Sequence, residues 1–184
     1  GQDFINKLME MYNRNTNNDK NEVAEKTREF INERIKIIDE ELGTTEDKLE
    51  AFKRNAGLTD ISSDAQLAVS GNAEYEKKRV ENQTQINLVM DLQRYLQGTE
   101  YEILPANVGL QDAGVAGAID RYNEMVAERN RLLRTSTESN PAIVNLNASI
   151  RAMRGNIQTT LDATLKGLEI TRADLAREAS RYSR

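Results

Sequence analysis

Residues 140–165 read NPAIVNLNASIRAMRGNIQTTLDATL, and this stretch carries the strongest helix signal in the chain. Asn140 is a residue type that caps a helix start, and Pro141 fits the first helical position, where no backbone donor is needed. Apolar side chains then recur every three or four residues, as they do on one face of a helix: Ile143, Leu146, Ile150, Met153, Ile157, Leu161 and Leu165. The spacing continues to Tyr182, so it predicts a final helix of about 40 residues.

Apolar spacing also predicts helices nearer the N-terminus. Phe4, Leu8 and Tyr12 suggest a short opening helix that ends in the Asn-rich run starting at Asn13. A second pattern steps by three and four residues and predicts a coiled-coil seam that ends at Gly57. Its positions are Thr27, Ile31, Ile35, Ile38, Leu42, Thr45, Leu49, Phe52 and Ala56.

The middle of the chain predicts two more helices separated by a loop. The first helix starts at Ser62 or Ser63 and stops at Gly98, and the next runs from about Ala116 to Arg134. Between them, residues 98–117 hold one of the two prolines and several glycines, which is typical of a loop. Within this loop, Ile103–Val108 is the one apolar extended run.

Long amphipathic helices need partners of similar length, so antiparallel hairpins are the expected arrangement. We therefore predict an all-α fold: an elongated, coiled-coil-like bundle of about four main helices in antiparallel hairpins. The chain is expected to form a single domain, 1–184. Its predicted parts are an opening helix at 1–16, a first hairpin at 19–97, the loop at 98–117 and a second hairpin at 116–184.

The composition excludes several kinds of chemistry. The chain has no His and no Cys, which excludes zinc fingers, Ser-His-Asp triads, Cys nucleophiles and disulfides. Its 25 Lys and Arg are interspersed with 30 Asp and Glu, so nucleic acid is not an expected partner. We predict no catalytic, cofactor-binding or metal-binding residue, no cofactor, and solvated helix faces for pairs such as Glu100 and Glu102. The sequons at Asn82 and Asn147 lie inside predicted helices and are expected to be chance matches.

Three stretches of the sequence resemble one bacterial family when they are read in order. The first runs from Lys26 to Arg34 and on through Leu49–Lys53, which includes Phe52. The second is Leu104-Pro105-Ala106-Asn107-Val108, followed by Tyr122-Asn123-Glu124 and by residues 128–132. The third is Asn140-Pro141 with Ile143, Leu146 and Ile150. Together these resemble the periplasmic region of the polysaccharide co-polymerases, the chain-length determinants of capsule and exopolysaccharide export, and most closely the branch fused to a cytoplasmic tyrosine autokinase.

This resemblance implies a structural role and no enzyme activity for the chain itself. Members of the family stand in the periplasm between two inner-membrane helices and assemble into oligomers that help to set polymer length. The resemblance therefore implies a homo-oligomer in the full-length protein, with polysaccharide and an outer-membrane export channel as further partners. Membrane contact would come only through flanking segments, because we expect the chain to be part of a longer protein. Phe52, Pro105, Asn107, Asn140 and Pro141 are assigned as structural motif residues.

Two other classes of function stay open at the level of the sequence. One is a helical hairpin adaptor of a periplasmic efflux or secretion bridge, whose parent would carry β-rich, lipoyl-like halves on both sides. The other is a coiled-coil scaffold, whose parent would have no membrane segments. The native sequence on either side of residues 1 and 184 would distinguish these readings.

Overall fold

The computed structural model describes residues 1–56, 63–98 and 100–182, and they form four α-helices. Helix α1 spans Gln2–Ala56, α2 spans Ser63–Leu96, α3 spans Ala113–Leu133 and α4 spans Pro141–Tyr182. The four helices pack against one another, so the predicted all-α bundle is confirmed. The turn predicted after Gly57 lies outside the described residues.

Helix α1 differs from the prediction at its start, because it has no break in the Asn-rich run. It continues from Gln2 to Ala56 through Asn13, and the separate opening helix over 1–16 is therefore wrong. Asn is a poorer helix former than Ala by less than about 1 kcal/mol, and extending an existing helix is far easier than starting one. A few Asn residues therefore do not end a helix that is formed on both sides of them.

The buried face of α1 is also rotated from the predicted seam. Ile31 and Ile35 are exposed, whereas Phe30 is only 1% exposed and Arg34 is buried. Both faces have apolar or long side chains at a spacing of four, so periodicity alone did not separate them. The side chains at the later seam positions, including Phe52, lie outside the described residues.

Helices α3 and α4 follow the predicted pattern more closely. Ile143, Ile150, Ile157 and Leu161 of α4 are fully buried, which confirms the inner stripe predicted from residues 140–165. Helix α3 begins three residues before the predicted start, because the Asp112 side chain accepts hydrogen bonds from the backbone N–H groups of Gly114 and Val115. Residues 113–117 are therefore helical and do not belong to the predicted loop.

The chain divides into two compact units, and unit 1 comprises Gly1–Phe30 and Leu88–Leu165. Helix α3 is antiparallel to α4 in this unit: Arg129 bonds Asn147 near one end, and Asp112 bonds Thr164 near the other. Side chains from all four helices and from the loop form its core. Its buried members include Phe30, Val89, Leu92, Leu104, Val115, Tyr122, Val126, Ile143, Ile150 and Ile157.

Unit 2 comprises Ile31–Asn87 and Lys166–Arg184. One contact between α2 and α4 is described in detail there: the Asn82 side-chain amide donates to the carbonyl oxygen of Leu168 at 3.2 Å. Asn82 is buried, and its Oδ1 has no hydrogen-bond partner among the described residues. The predicted single-domain organisation stays a prediction.

Candidate functional site

The extended run in the loop of unit 1 is the candidate site, because helices bind its backbone through their side chains. Ile103, Leu104, Pro105 and Ala106 are all buried, although they belong to no helix. Buried backbone polar groups need partners when no sheet or helix supplies them. Two side chains supply those partners here.

The first partner is Asn123, a buried residue of α3. Its Oδ1 accepts from the Leu104 N–H at 2.8 Å, and its Nδ2 donates to the Leu104 carbonyl at 2.9 Å. The side-chain amide thus satisfies both backbone groups of Leu104, as a neighbouring β-strand would. The apolar pattern of α3 did not predict this role. The one sequence signal for it is a polar residue, Asn123, between the apolar residues Tyr122 and Val126.

The second partner is Thr27 of α1. Its Oγ1 accepts from the Ala106 N–H at 3.0 Å and donates to the Ala106 carbonyl at 3.3 Å. Leu104 and Ala106 are two residues apart, so their backbone groups face the same edge of the extended run. Helices α3 and α1 therefore hold one edge of the segment, and Thr27 has a polar function at a position that was predicted as part of an apolar seam.

Beyond Ala106 the loop turns sharply. Asn107 has a φ of 55° and Gly109 a φ of 89°. Asn is one of the few non-glycine residues that adopts the left-handed region readily. Pro105 and Asn107 line the same groove, which has a volume of about 310 Å³ and is also lined by Leu92, Val115 and Ile119. These two motif residues are thus brought together by the turn.

The hydroxyl of Tyr122 ties the start of the loop to α4. It donates to the carbonyl oxygens of Glu100 and Glu102, at 3.0 and 2.9 Å, and accepts from the guanidinium of Arg154 at 2.8 Å. Burial raises the pKa of Tyr122 above its ordinary value, although the Arg154 charge opposes this rise. Tyr122 therefore remains neutral at any physiological pH.

Arg154 itself binds carbonyl groups at the end of α2 and just after it. Its guanidinium donates to the carbonyl oxygens of Leu96, Gly98 and Glu100. Because the last carbonyl groups of a helix have no intrahelical donor, a cation is well placed there. Arg154 was not singled out from the sequence, because it lies beside the apolar stripe of α4 and not within it.

A second groove lies between α1 and α3 in unit 1, with a volume of about 470 Å³. Tyr12 and Val23 of α1 and Asp120, Glu124 and Ala127 of α3 are among the residues that line it. Arg131 reaches across to Asp19 at 2.7 Å. This ion pair joins the C-terminal end of α3 to α1, whereas Ala106, which precedes α3, bonds Thr27 further along α1, so the two helices run antiparallel.

The remaining motif residues have local roles. Asn140 caps α4, because its Oδ1 accepts from the Ala142 N–H at 2.9 Å, and Pro141 is the first residue of that helix. Neither residue lines either groove. Phe52 lies in α1, and its side chain belongs to those that the structure does not describe.

The described residues show no arrangement that suggests catalysis. Within 1–56, 63–98 and 100–182, no group of three or more acidic residues is placed to hold a metal ion. Glu100 and Glu102 are exposed, with Glu100 lying 3.7 Å from Arg151. No helix in the same part of the chain is long and apolar enough to cross a bilayer.

The asparagine side chains of the two glycosylation sequons make contacts within the protein. Asn82 is buried against α4, and the Asn147 side chain accepts from Arg129 at 2.6 Å. A glycan on either side-chain amide would break these contacts. In this structure, both sequon asparagines therefore serve in packing.

Comparisons with protein-family models, with curated proteins and with solved structures find no match.

Proposed function

We propose that this chain is the periplasmic helical domain of an inner-membrane polysaccharide co-polymerase, in the branch fused to a cytoplasmic tyrosine autokinase. In this proposal the chain contains no active site. It acts as a structural part of an oligomer that controls the length and export of a capsular polysaccharide or exopolysaccharide.

One observation supports the proposal above the others: two parts of the second stretch that carries the family resemblance contact each other in unit 1. Leu104 belongs to the part around Pro105, and Asn123 belongs to the part nineteen positions later, yet the two are joined by a pair of hydrogen bonds. Both parts of this stretch therefore contribute to a single hydrogen-bonded contact that holds the loop.

The third stretch adds to the same argument. Asn140 and Pro141 begin α4, which runs antiparallel to α3 and buries Ile143 and Ile150 in the core of unit 1. The second and third stretches of the resemblance therefore fall on residues of unit 1. A domain of this kind functions through the surfaces that its helices present, since polar groups such as the Asn123 amide are used inside it.

The first experiment determines the native reading frame on both sides of the chain. A co-polymerase parent should have one hydrophobic segment of about 20 residues before residue 1 and another after residue 184. A parent without such segments, or one with β-rich domains on both sides, would contradict the proposal.

The second experiment tests the function in the source bacterium. Deleting the segment in frame should change the size distribution of the exported polysaccharide on a gel while the parent protein still reaches the membrane. Asn123→Ala should produce part of that change, and Asn156→Ala, on an exposed part of α4, should not. An unchanged polymer after deletion would overturn the proposal.

A further inference from the structure

The first half of α1 buries little surface against the rest of unit 1. Apart from residues 15 and 16, whose side chains the structure does not describe, none of residues 1–29 is buried. Four of them are half-buried: Asp19, Val23, Lys26 and Thr27. Helix α3, by comparison, buries eight of its 21 residues in the same unit. We call residues 2–27 the α1 strap. Because most helical stability in proteins comes from packing, the strap should be less stable than α3.

Asp19 and Thr27 tie the strap to α3 and to the loop. Asp19 pairs with Arg131 at 2.7 Å, and both side chains are partly exposed. The Thr27 hydroxyl bonds the N–H and the carbonyl of Ala106. A partly exposed ion pair, or the hydrogen bonds of one hydroxyl, typically changes an equilibrium constant about tenfold or less. Contacts of this size allow the strap to leave the surface of unit 1 while the core stays folded.

The strap is also packed loosely against α3, because a groove of about 470 Å³ lies between the two helices. Tyr12 and Val23 line this groove from the strap, and Asn123 and Ala127 line it from α3. Tyr12 also makes a contact within the chain. Close-packed elements leave few voids larger than a water molecule, so a groove here means fewer dispersion contacts for each turn of the strap.

The sequence of the strap weakens its helix further. Five of the nine residues from 13 to 21 are Asn. Asn is a poor helix former, because its side chain competes for backbone hydrogen bonds in other conformations. These residues do not end α1, but they lower the free energy that is needed to open it.

Beyond the strap, α1 is anchored in the core of unit 1. Phe30 is 1% exposed, and its ring centre lies 5.5 Å from that of Tyr95 on α2. The Lys26 ammonium lies 5.5 Å from the centre of the same Tyr95 ring. These contacts gather at the last turn of the strap and just after it. The strap can therefore open without removing Phe30 from the core.

We propose that the α1 strap opens as one unit while the rest of unit 1 stays folded, and that it controls access to the loop at Ala106. In the closed state Thr27 occupies the backbone groups of Ala106. In the open state these groups and the buried Ala127 beneath the strap become accessible. Leu104 stays bound, because its partner Asn123 belongs to α3. This inference goes beyond the proposed function and does not depend on it.

Hydrogen exchange of the whole chain, followed residue by residue by NMR, tests the opening without any substitution. We expect the amides from Leu8 to Ala24 to share one opening free energy, with protection factors at least about a hundredfold below those of Val126 and Ile157. Protection that rises steadily from residue 2 would show fraying from the end. Protection equal to that of Val126 would show that α1 opens only with the core. Either result would overturn the inference.

The loop amides test whether the strap controls access to the loop. The Ala106 amide should exchange with the opening free energy of the strap, because Thr27 holds it. The Leu104 amide lies two residues away but is held by Asn123, so it should exchange with the core. Equal protection of these two amides would contradict the proposal.

A charge substitution tests the contact that holds the strap closed. Asp19→Asn should lower the protection of the strap and of the Ala106 amide about three- to tenfold, and it should leave Val126 unchanged. Glu22→Gln is the matched control, because it also removes one acid from α1 but at an exposed position, and it should change neither. Equal effects of the two substitutions would mean that the contact with Arg131 does not hold the strap, which contradicts the proposal.

A thiol probe measures access to the surface beneath the strap, and the sequence has no Cys of its own. Ala127 is 7% exposed and lines the groove under the strap, whereas Ala118 is 9% exposed and does not line it. Without denaturant, the thiol of Ala127→Cys should react with dithiobis-nitrobenzoate at least about tenfold faster than that of Ala118→Cys. Adding Asp19→Asn should accelerate the first reaction and not the second. Equal rates for the two thiols would show that the strap does not open by itself.

Discussion

The guanidinium carbon of Arg129 lies 3.7 Å from the centre of the Tyr101 ring, which places a cation over the aromatic face. Arg129 is 7% exposed, so this contact is shielded from water. Its Nε donates to Asn147 at 2.6 Å, and one terminal nitrogen donates to Glu138 at 3.1 Å. One buried side chain of α3 thus joins the loop, the α3–α4 turn and α4. Because stacking and two hydrogen bonds fix its plane, this position uses the shape of arginine as well as its charge.

Replacing Arg129 should therefore destabilise the chain strongly. We expect Arg129→Ala to reduce the free energy of unfolding by about 3 kcal/mol, because it leaves a cavity and an unpartnered Asn147. Arg129→Lys should recover less than half of that loss, since an ammonium group cannot stack and bond in the same plane. Urea unfolding followed by circular dichroism measures both values.

Glu138 provides the control for this prediction. Its side chain is 73% exposed, and an exposed partner contributes at most about 1 kcal/mol. Glu138→Gln should therefore lower the free energy of unfolding much less than Arg129→Ala does. Similar losses for the two variants would mean that the salt bridge, and not the stacked and buried guanidinium, holds this region together.

The hydroxyl of Thr27 gives a second prediction, which concerns how strongly the loop is held at Ala106. Thr27→Val keeps the shape of the side chain but leaves the Ala106 N–H and carbonyl without their partner, which should cost about 1–3 kcal/mol. Thr27→Ser keeps the hydroxyl and should cost less. Hydrogen exchange should locate the effect: the Ala106 amide loses protection in Thr27→Val, while amides in the middle of α4 change little. Equal losses for Val and Ser would show that the methyl group matters more than the two hydrogen bonds.

How far the sequence predicts this structure depends on the kind of interaction. Apolar periodicity predicted α4 and its buried Ile143, Ile150 and Ile157, because a long stripe at one spacing fits only one kind of element. The same signal failed on α1, where Phe30 is buried and Ile31 is exposed, since neighbouring residues differ by only 100° of rotation.

The candidate site was predictable only in part. Its loop was visible as an apolar extended run with Pro105, but its partners Thr27 and Asn123 were not. The bond between Thr27 and Ala106 connects residues 79 positions apart, and a polar side chain in a single sequence gives no indication of which distant backbone group it binds. Such pairings depend on how the helices pack, which the local pattern does not specify.

The buried hydroxyl of Tyr122 predicts a pH dependence of stability. Burial raises the pKa of Tyr122 in the folded chain, so the unfolded chain loses its phenolic proton first as the pH rises. In that range the folded state holds more protons than the unfolded state, and the free energy of unfolding falls with pH. The stabilisation from this group is complete below the unfolded pKa of about 10 and is lost as the pH rises through the folded pKa.

Tyr122→Phe isolates this contribution. We expect the difference in stability between the wild-type chain and Tyr122→Phe to be constant from pH 7 to about 9 and to shrink above about pH 10. Urea unfolding of both proteins across this range measures the difference, in which the titration of Lys and of the other Tyr residues cancels. A difference that stays constant to pH 11 would show that Tyr122 ionises equally in both states.

Asn82 in unit 2 gives the last prediction. Here a substitution should raise the free energy of unfolding, whereas the earlier substitutions should lower it. Its side chain is 8% exposed, its amide donates to the Leu168 carbonyl at 3.2 Å, and no residue that the structure describes donates a hydrogen bond to its Oδ1. A buried acceptor without a donor costs about 1–3 kcal/mol, and the Leu168 carbonyl is also within reach of its own helix. We therefore expect Asn82→Leu to raise the free energy of unfolding by about 1 kcal/mol, whereas Asn82→Asp should lower it by several kcal/mol, because it buries a charge.

A polar group at a helix seam also fixes register, since it favours the one alignment in which it finds a partner. If Asn82 has this role, Asn82→Leu should unfold at a higher temperature but with a broader transition, and scanning calorimetry measures both. A variant that is less stable than the wild-type chain would show that Oδ1 gains a partner in solution, such as a bound water molecule.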